Sequence, residues 1–135
     1  MMRRGTEAGE ALRDPTRGRP VLIVDDDDFL TDTFQLILED AGFYVETAAT
    51  GTQALAKADA TPFKLVITDL NLPDIEGSEL SRLLKEKLSG VSVILLTGAS
   101  NLQKSREGEK PDRVLEKPID PLELLRVSNS LSSNL

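Results

Sequence analysis

Short, uninterrupted apolar runs, each closed by charged or hydroxyl residues and separated from the next by helical spacing, restrict what this chain can fold into. Val21-Leu22-Ile23-Val24 is apolar without a break and stops at four aspartates, Asp25 to Asp28. Leu65-Val66-Ile67 leads to Asp69, Val91 to Leu96 leads to Thr97, and Val114-Leu115 leads to Lys117. A strand with one wet face alternates apolar and polar residues, whereas a continuous β-branched run suits a strand covered on both faces. Phe43-Tyr44-Val45 supplies another strand. Between these runs, Leu30, Phe34, Ile37, Leu38 and Ala41 recur at helical spacing, with Gly42 as the C-terminal cap. Ala54, Leu55 and Ala58 mark a second helix, and Leu80, Leu83, Leu84 and Leu88 a third that ends at Gly90. Asp120 and Pro121 supply the cap and first turn of a final helix containing Leu122 and Leu125. Five strands interleaved with helices predict an α/β fold with a doubly wound parallel sheet. No strand is expected to be exposed on one side, and the Leu, Ile and Val positions are expected to form the core.

At 135 residues and 39% hydrophobic, the chain is long enough for one globular domain with a real core. Aromatics are only 4%, with no Trp, so that core is built from aliphatic side chains. Cys and His are both absent, which excludes disulfides, thiolate or imidazole metal sites, Cys nucleophiles and any phosphohistidine on this chain. With 23 acidic against 16 basic residues and a net charge of −7, there is no basic stripe for a phosphate backbone, so direct nucleic-acid binding is not expected. No apolar run approaches a membrane span and the N-terminus lacks a leader pattern, so no membrane association is expected and the protein reads as cytoplasmic. Residues 1–19 hold five Arg, three acidic residues and three Gly without large apolar spacing, the composition of a disordered N-terminal tail. The folded domain is then 20–135. Residues 98–113 contain a single large apolar residue, Leu102, so a fourth helix there buries almost nothing and is expected to be weak or partly disordered.

The polar residues that close the strands carry the chemistry. In an open parallel sheet the carboxyl ends of the strands form the binding crevice, so Asp25, Asp26, Asp69, Thr97 and Lys117 should converge there. Three crowded carboxylates repel one another unless a cation joins them, and oxygen ligands without His or Cys favour a hard ion such as Mg²⁺. Asp26 and Asp69 are the natural direct ligands, with Asp25 acting through water and the Asn71 backbone carbonyl nearby. An Asp69 oxygen is also a competent nucleophile toward phosphorus. Lys117 and Thr97 can then offer positive charge and a donor to the transferred oxygens, and Gly98 leaves them room. Asp27 and Asp28 read as caps of the first helix, and Pro73 and Gly77 as residues that shape a loop. Pro118 biases Lys117 to extended geometry, and their peptide bond is a candidate for cis.

The blocks VLIVDDDD, LVITDLNLPDIEG, VILLTGAS and VLEKPID resemble the receiver domain of two-component response regulators, over roughly residues 20 to 128. The resemblance implies a flavodoxin-like (βα)5 fold with strand order 2-1-3-4-5. It implies Asp69 as phospho-acceptor, Asp25 and Asp26 as the acidic metal pair, Thr97 as the hydroxyl switch residue and Lys117 as the phosphate-binding lysine. The phosphoryl group would come from a histidine kinase or phosphotransfer protein on another chain, and phosphorylation would switch binding to a downstream protein. Such a domain is not an enzyme beyond assisting its own phosphorylation and dephosphorylation. Two positions depart from the family pattern: Val114 stands where an aromatic switch residue is usual, and the segment 98–113 lacks an amphipathic face. They motivate a second reading, a phosphorylation-independent interaction module of the same fold. A Mg²⁺ phosphohydrolase is disfavoured because Asn71 stands where a second carboxylate would serve as acid, and a flavin protein because no phosphate loop follows strand one. With only SNSLSSNL after the last helix, the chain is expected to be either a stand-alone receiver or a fragment of a longer regulator.

Overall fold

The computed structural model describes residues 18–98 and 111–132. In chain order these form β1 (Arg19–Val24), α1 (Asp28–Asp40), β2 (Phe43–Ala48), α2 (Gly51–Ala60), β3 (Leu65–Asp69), α3 (Gly77–Lys87), β4 (Ser92–Thr97), β5 (Arg113–Glu116) and α4 (Pro121–Ser132). The expected tail, but for its last two residues, and the expected weak helix within 98–113 lie outside the described residues.

Successive strand residues point to opposite faces, so a strand apolar at every position needs a layer on each side. That is what β1, β3 and β4 receive. Val21 and Ile23 join Ile67, Ile94, Phe34, Leu38, Leu124 and Val127 in one core beneath α1 and α4. Leu22 and Val24 join Val66, Val93, Ala54, Leu80 and Leu84 in a second core beneath α2 and α3. The five strands pair in parallel in the order β2-β1-β3-β4-β5, the doubly wound arrangement expected.

The helix boundaries follow from local chemistry. Asp27 caps α1, its carboxylate accepting from the Phe29 and Leu30 N–H groups at 3.0 and 3.2 Å. Gly42, at φ +97°, turns the chain directly into β2. Asp120 accepts from the Leu122 N–H at 3.0 Å and so opens α4. α3 ends at Lys87, and Gly90, at φ +74°, makes the turn into β4 two residues beyond the Leu88 cap.

Three expectations need correction. β1 opens at Arg19, which composition assigned to the tail. The Arg19 guanidinium stacks over Phe43 with its Cζ 3.9 Å from the ring centroid. It also donates to the Ala41 carbonyl at 3.0 Å, to Asn129 at 2.8 Å and to Ser132 at 3.2 Å, tying the C-terminal ends of α1 and α4 to the sheet. The edge strands are not covered on both sides: β2 buries Phe43, Val45 and Ala48 and leaves the rest half-buried, and β5 buries only Leu115. Nor are all Leu positions core: Leu36 is 69% and Leu122 74% exposed, on helix faces turned from the sheet.

Candidate functional site

The carboxyl ends of β1, β3, β4 and β5 deliver their polar residues to one edge. The β1–β2 ladder continues past Val24, the Asp25 N–H donating to the Ala48 carbonyl at 3.0 Å, which places the Asp25 side chain inside the fold at 2% exposure. Asp69 is the last residue of β3 and is 7% exposed, while Asp26 is open to solvent. One carboxylate oxygen from each of Asp25, Asp26 and Asp69 lies within 4.8 Å of the others. Lys117 reaches in from the end of β5, its Nζ 3.1 Å from Asp69 Oδ1 and 3.3 Å from Asp25 Oδ2. The Lys117 N–H donates to the Thr97 carbonyl at 2.7 Å, so β4 and β5 hold these two residues side by side. Thr97 is buried, and its hydroxyl donates to the Gly98 carbonyl at 3.2 Å. The Lys117–Pro118 peptide is cis.

Burial, the largest influence, pushes the Asp25 carboxyl above the ordinary carboxylate range, and the charge of Asp69 pushes the same way. The Asp27 N–H, donating to Asp25 Oδ1 at 3.0 Å, and the Lys117 ammonium oppose them without winning. For Lys117 the balance is reversed: burial alone would lower its pKa, but attraction to Asp25 and Asp69 outweighs it and raises the value. With every group ionised the cluster carries three negative charges against one positive. That deficit, with hard oxygen donors only, fits a divalent ion of the Mg²⁺ type.

The loop between β3 and α3 is fitted closely to this edge. Asn71 is exposed, two residues beyond Asp69, and pairs with Glu76 through an isolated antiparallel bridge. The Gly77 N–H donates to the Leu70 carbonyl at 2.6 Å. A Cβ on Gly77 would collide with the Asp69 carbonyl oxygen and crowd Leu70 Cα, so close approach to the Asp69 backbone is what requires glycine there. Sequence reading assigned Gly77 only to loop shape. It missed Asp74, whose carboxylate accepts from the Gly51 N–H and Thr52 N–H at 2.9 Å each and from the Thr52 hydroxyl at 2.7 Å. These bonds, the Thr52 hydroxyl foremost, lower the Asp74 pKa to about 2. An acidic residue in a turn is the sole trace of this in the sequence. Val114, where the resemblance calls for an aromatic residue, is half-buried and registers with Leu95.

A family model described as the response regulator receiver domain matches residues 21–129. The chain is 40% identical over 95 residues to a transcriptional regulatory protein CpxR homolog of Haemophilus influenzae, covering 70% of this chain and 37% of that protein. It is 35% identical over 115 residues to the transcriptional regulatory protein GltR of Pseudomonas aeruginosa, covering 80% and 46% respectively. The chain thus spans half or less of these two curated relatives. A 14.6 kDa protein of Leptolyngbya boryana is 32% identical over 111 residues, covering 79% of this chain and 85% of that protein. Among solved structures, the chemotaxis response regulator CheY4 of Vibrio cholerae superposes with a TM-score of 0.77 at 32% identity, covering 84% of this chain and 98% of that one. A CheY-like receiver domain protein of Methanospirillum hungatei gives 0.77 at 36% identity, covering 85% and 94%. No helix among the described residues is long and apolar enough to cross a membrane.

Proposed function

The chain belongs to the response regulator receiver domain family, and on that premise we propose that it accepts a phosphoryl group on Asp69 in two-component signalling and thereby switches its binding to a downstream protein. The observation that carries this reading is the meeting of Asp25, Asp26 and Asp69 within 4.8 Å, with the Lys117 ammonium between Asp25 and Asp69. Charged residues from three strand ends have no need to converge with uncompensated charge unless a charged ligand is to be handled there.

Asp26 and Asp69 would hold Mg²⁺ directly, Asp25 through water, and the Asn71 carbonyl alongside. When bound, the ion supplies the positive charge that three carboxylates and a transferring phosphoryl group together demand. An Asp69 oxygen attacks phosphorus as the P–N bond to the donor's imidazole breaks. Lys117, already held 3.1 Å from Asp69, neutralises charge on the equatorial oxygens. Thr97 must release the Gly98 carbonyl to donate to a phosphoryl oxygen, and that exchange of partners is the switch. Its coupling to a partner is of order 1–3 kcal/mol. Attack by water on phosphorus, breaking the bond to Asp69, resets the domain.

The family points to a histidine kinase or phosphotransfer protein as donor, and no His in this sequence could carry the phosphoryl group itself. An apolar groove of about 270 Å³ opens beside Lys117, lined by Phe29, Leu30, Phe34, Pro118, Ile119 and Pro121, and Phe29 stands 81% exposed at its rim. Such a patch next to the acceptor suits a docking donor. Kinship with transcriptional regulators supports an output in gene control, through a partner or a further domain, and the reading includes a cytoplasmic location. The alternative, an interaction module indifferent to phosphate, draws support from Val114 in the position of the usual aromatic partner of Thr97.

The test is incubation with Mg²⁺ and acetyl phosphate followed by intact mass, beside an Asp69→Asn control. One phosphoryl group on the parent alone is expected. Equal labelling of the Asn variant would move the acceptor elsewhere, and an unlabelled, folded parent would favour the phosphate-independent module.

A further inference from the structure

Resting on the reading of the acidic cluster as a divalent-cation site, we infer that Asp74 is a positioning residue for that site, acting through the N-terminus of α2. Asp74 lies at the tip of the loop that begins at the acceptor. Its two carboxylate oxygens straddle the first turn of α2, Oδ1 taking the Gly51 N–H and Oδ2 taking the Thr52 N–H and hydroxyl. The two segments are 22 and 23 residues apart in sequence, so this is a tertiary fastening and not a local turn. A carboxylate facing the positive end of a helix dipole is held electrostatically as well as by its three donors.

The neighbouring contacts show what the fastening governs. Ile75 packs over Gly51, where there is no space for a Cβ. At the base of the loop, the Asn71–Glu76 bridge and the Gly77–Leu70 hydrogen bond return the chain to the Asp69 backbone. Asn71, whose carbonyl is the uncharged member of the ligand set, therefore sits on a span fixed at one end by the acceptor and at its tip by Asp74. α2 in turn follows β2, whose last residue, Ala48, binds the Asp25 N–H at 3.0 Å. Asp74 thus joins the segment bearing Asn71 to the segment that places Asp25, without touching the cluster itself. Freed from α2, the tip can shift and carry Asn71 away from the carboxylates. Ordering that span then becomes part of the work of binding a cation.

The test uses the full chain and Mn²⁺ as the probe, with free ion counted from its electron paramagnetic resonance signal at a temperature where every variant is folded. Asp74→Ala is expected to weaken Mn²⁺ about tenfold, the low end for residues that orient a ligand without binding the metal. Asp74→Asn, which keeps one carbonyl oxygen for an α2 N–H, should fall between it and the parent. Arg19→Ala, at the opposite end of the sheet, should lower the melting temperature and leave Mn²⁺ affinity unchanged. Asp25→Asn should lose most of the binding. Mn²⁺ affinity of Asp74→Ala within twofold of the parent would overturn the inference, as would equal weakening in Arg19→Ala, since affinity would then follow stability alone. Parental Mn²⁺ binding by Asp25→Asn would overturn the cation reading itself and this inference with it, a result distinct from either.

Discussion

Asp25→Asn should make the metal-free protein more stable. Asp25 is buried to 2% exposure among like charges. Its oxygen lies within 4.8 Å of one oxygen on each of Asp26 and Asp69; the buried Asp69 repels by about 3.5 kcal/mol at an effective dielectric of ~20, and the exposed Asp26 by much less. Lys117, at 3.3 Å, returns about 5 kcal/mol on the same scale, and less because its side chain is 32% exposed. The charge pairs therefore roughly offset one another, and the burial penalty, the largest influence on Asp25, decides the sign and leaves a cost of about 2 kcal/mol. The isosteric Asn keeps the oxygen that accepts from the Asp27 N–H at 3.0 Å and sheds the charge. A gain of about 2 kcal/mol corresponds to a Tm higher by roughly 6–10 °C for a domain of this size. The assay is thermal unfolding followed by circular dichroism at pH 7.5 in EDTA. The pH dependence has a definite sign. Because the folded-state pKa of Asp25 is raised, the native parent holds its proton more tightly than the unfolded chain does. Its disadvantage is thus full above the folded pKa and disappears as pH falls toward the unfolded value of 3.8, where parent and variant converge. Saturating Mg²⁺ should narrow the gap at neutral pH by stabilising the parent alone. An Asn variant that melts below the parent in EDTA at pH 7.5 would refute this balance and make the Lys117 pair the dominant interaction.

Gly77→Ala should slow acetyl phosphate labelling about tenfold and lower stability by ~1–3 kcal/mol, because the new methyl group displaces the Asp69 carbonyl or the start of α3; parental rate and melting would show that the contact relaxes freely. Lys117→Met should retain the fold and lose labelling by about a hundredfold or more, since it removes the charge 3.1 Å from the acceptor; intact mass over a time course decides it. Leu38→Ala, at a fully buried position beneath the sheet, should cost about 2–5 kcal/mol in urea unfolding with little change in the labelling of the folded fraction.

The central strands and the site's main residues were legible because both follow short-range rules. Val21 to Val24 and Leu65 to Ile67 are apolar at every step, and only a strand between two layers uses such a run. The polar residue at each run's end then falls on one edge by topology alone, which is how Asp25, Asp69, Thr97 and Lys117 were found together. What stayed hidden depends on partners distant in sequence. Arg19 looked like one more charge in a basic tail, yet its donors meet Asn129 and Ser132, 110 and 113 residues away. β2 runs on to Ala48 past its apolar start, with Glu46 accepting from the Tyr44 and Thr61 hydroxyls at 2.7 and 3.1 Å. Leu36 and Leu122 carry core-type side chains on faces turned outward, and spacing within a helix does not say which neighbour arrives. Asp74 reads like any turn aspartate until α2 is beside it.

Asp112 gives the molecule a kind of modularity. Its N–H donates to the Val93 carbonyl at 2.9 Å, while its carboxylate accepts from the Val93 N–H at 2.7 Å and from Lys85 at 2.9 Å. The start of β5 is thereby gripped at the far end of β4, and the Lys117–Thr97 backbone bond grips its other end. Lys117 takes its place from these two posts on β4. Its ammonium is thus placed by contacts made outside the acidic cluster, so those contacts and the cluster's own residues can vary separately.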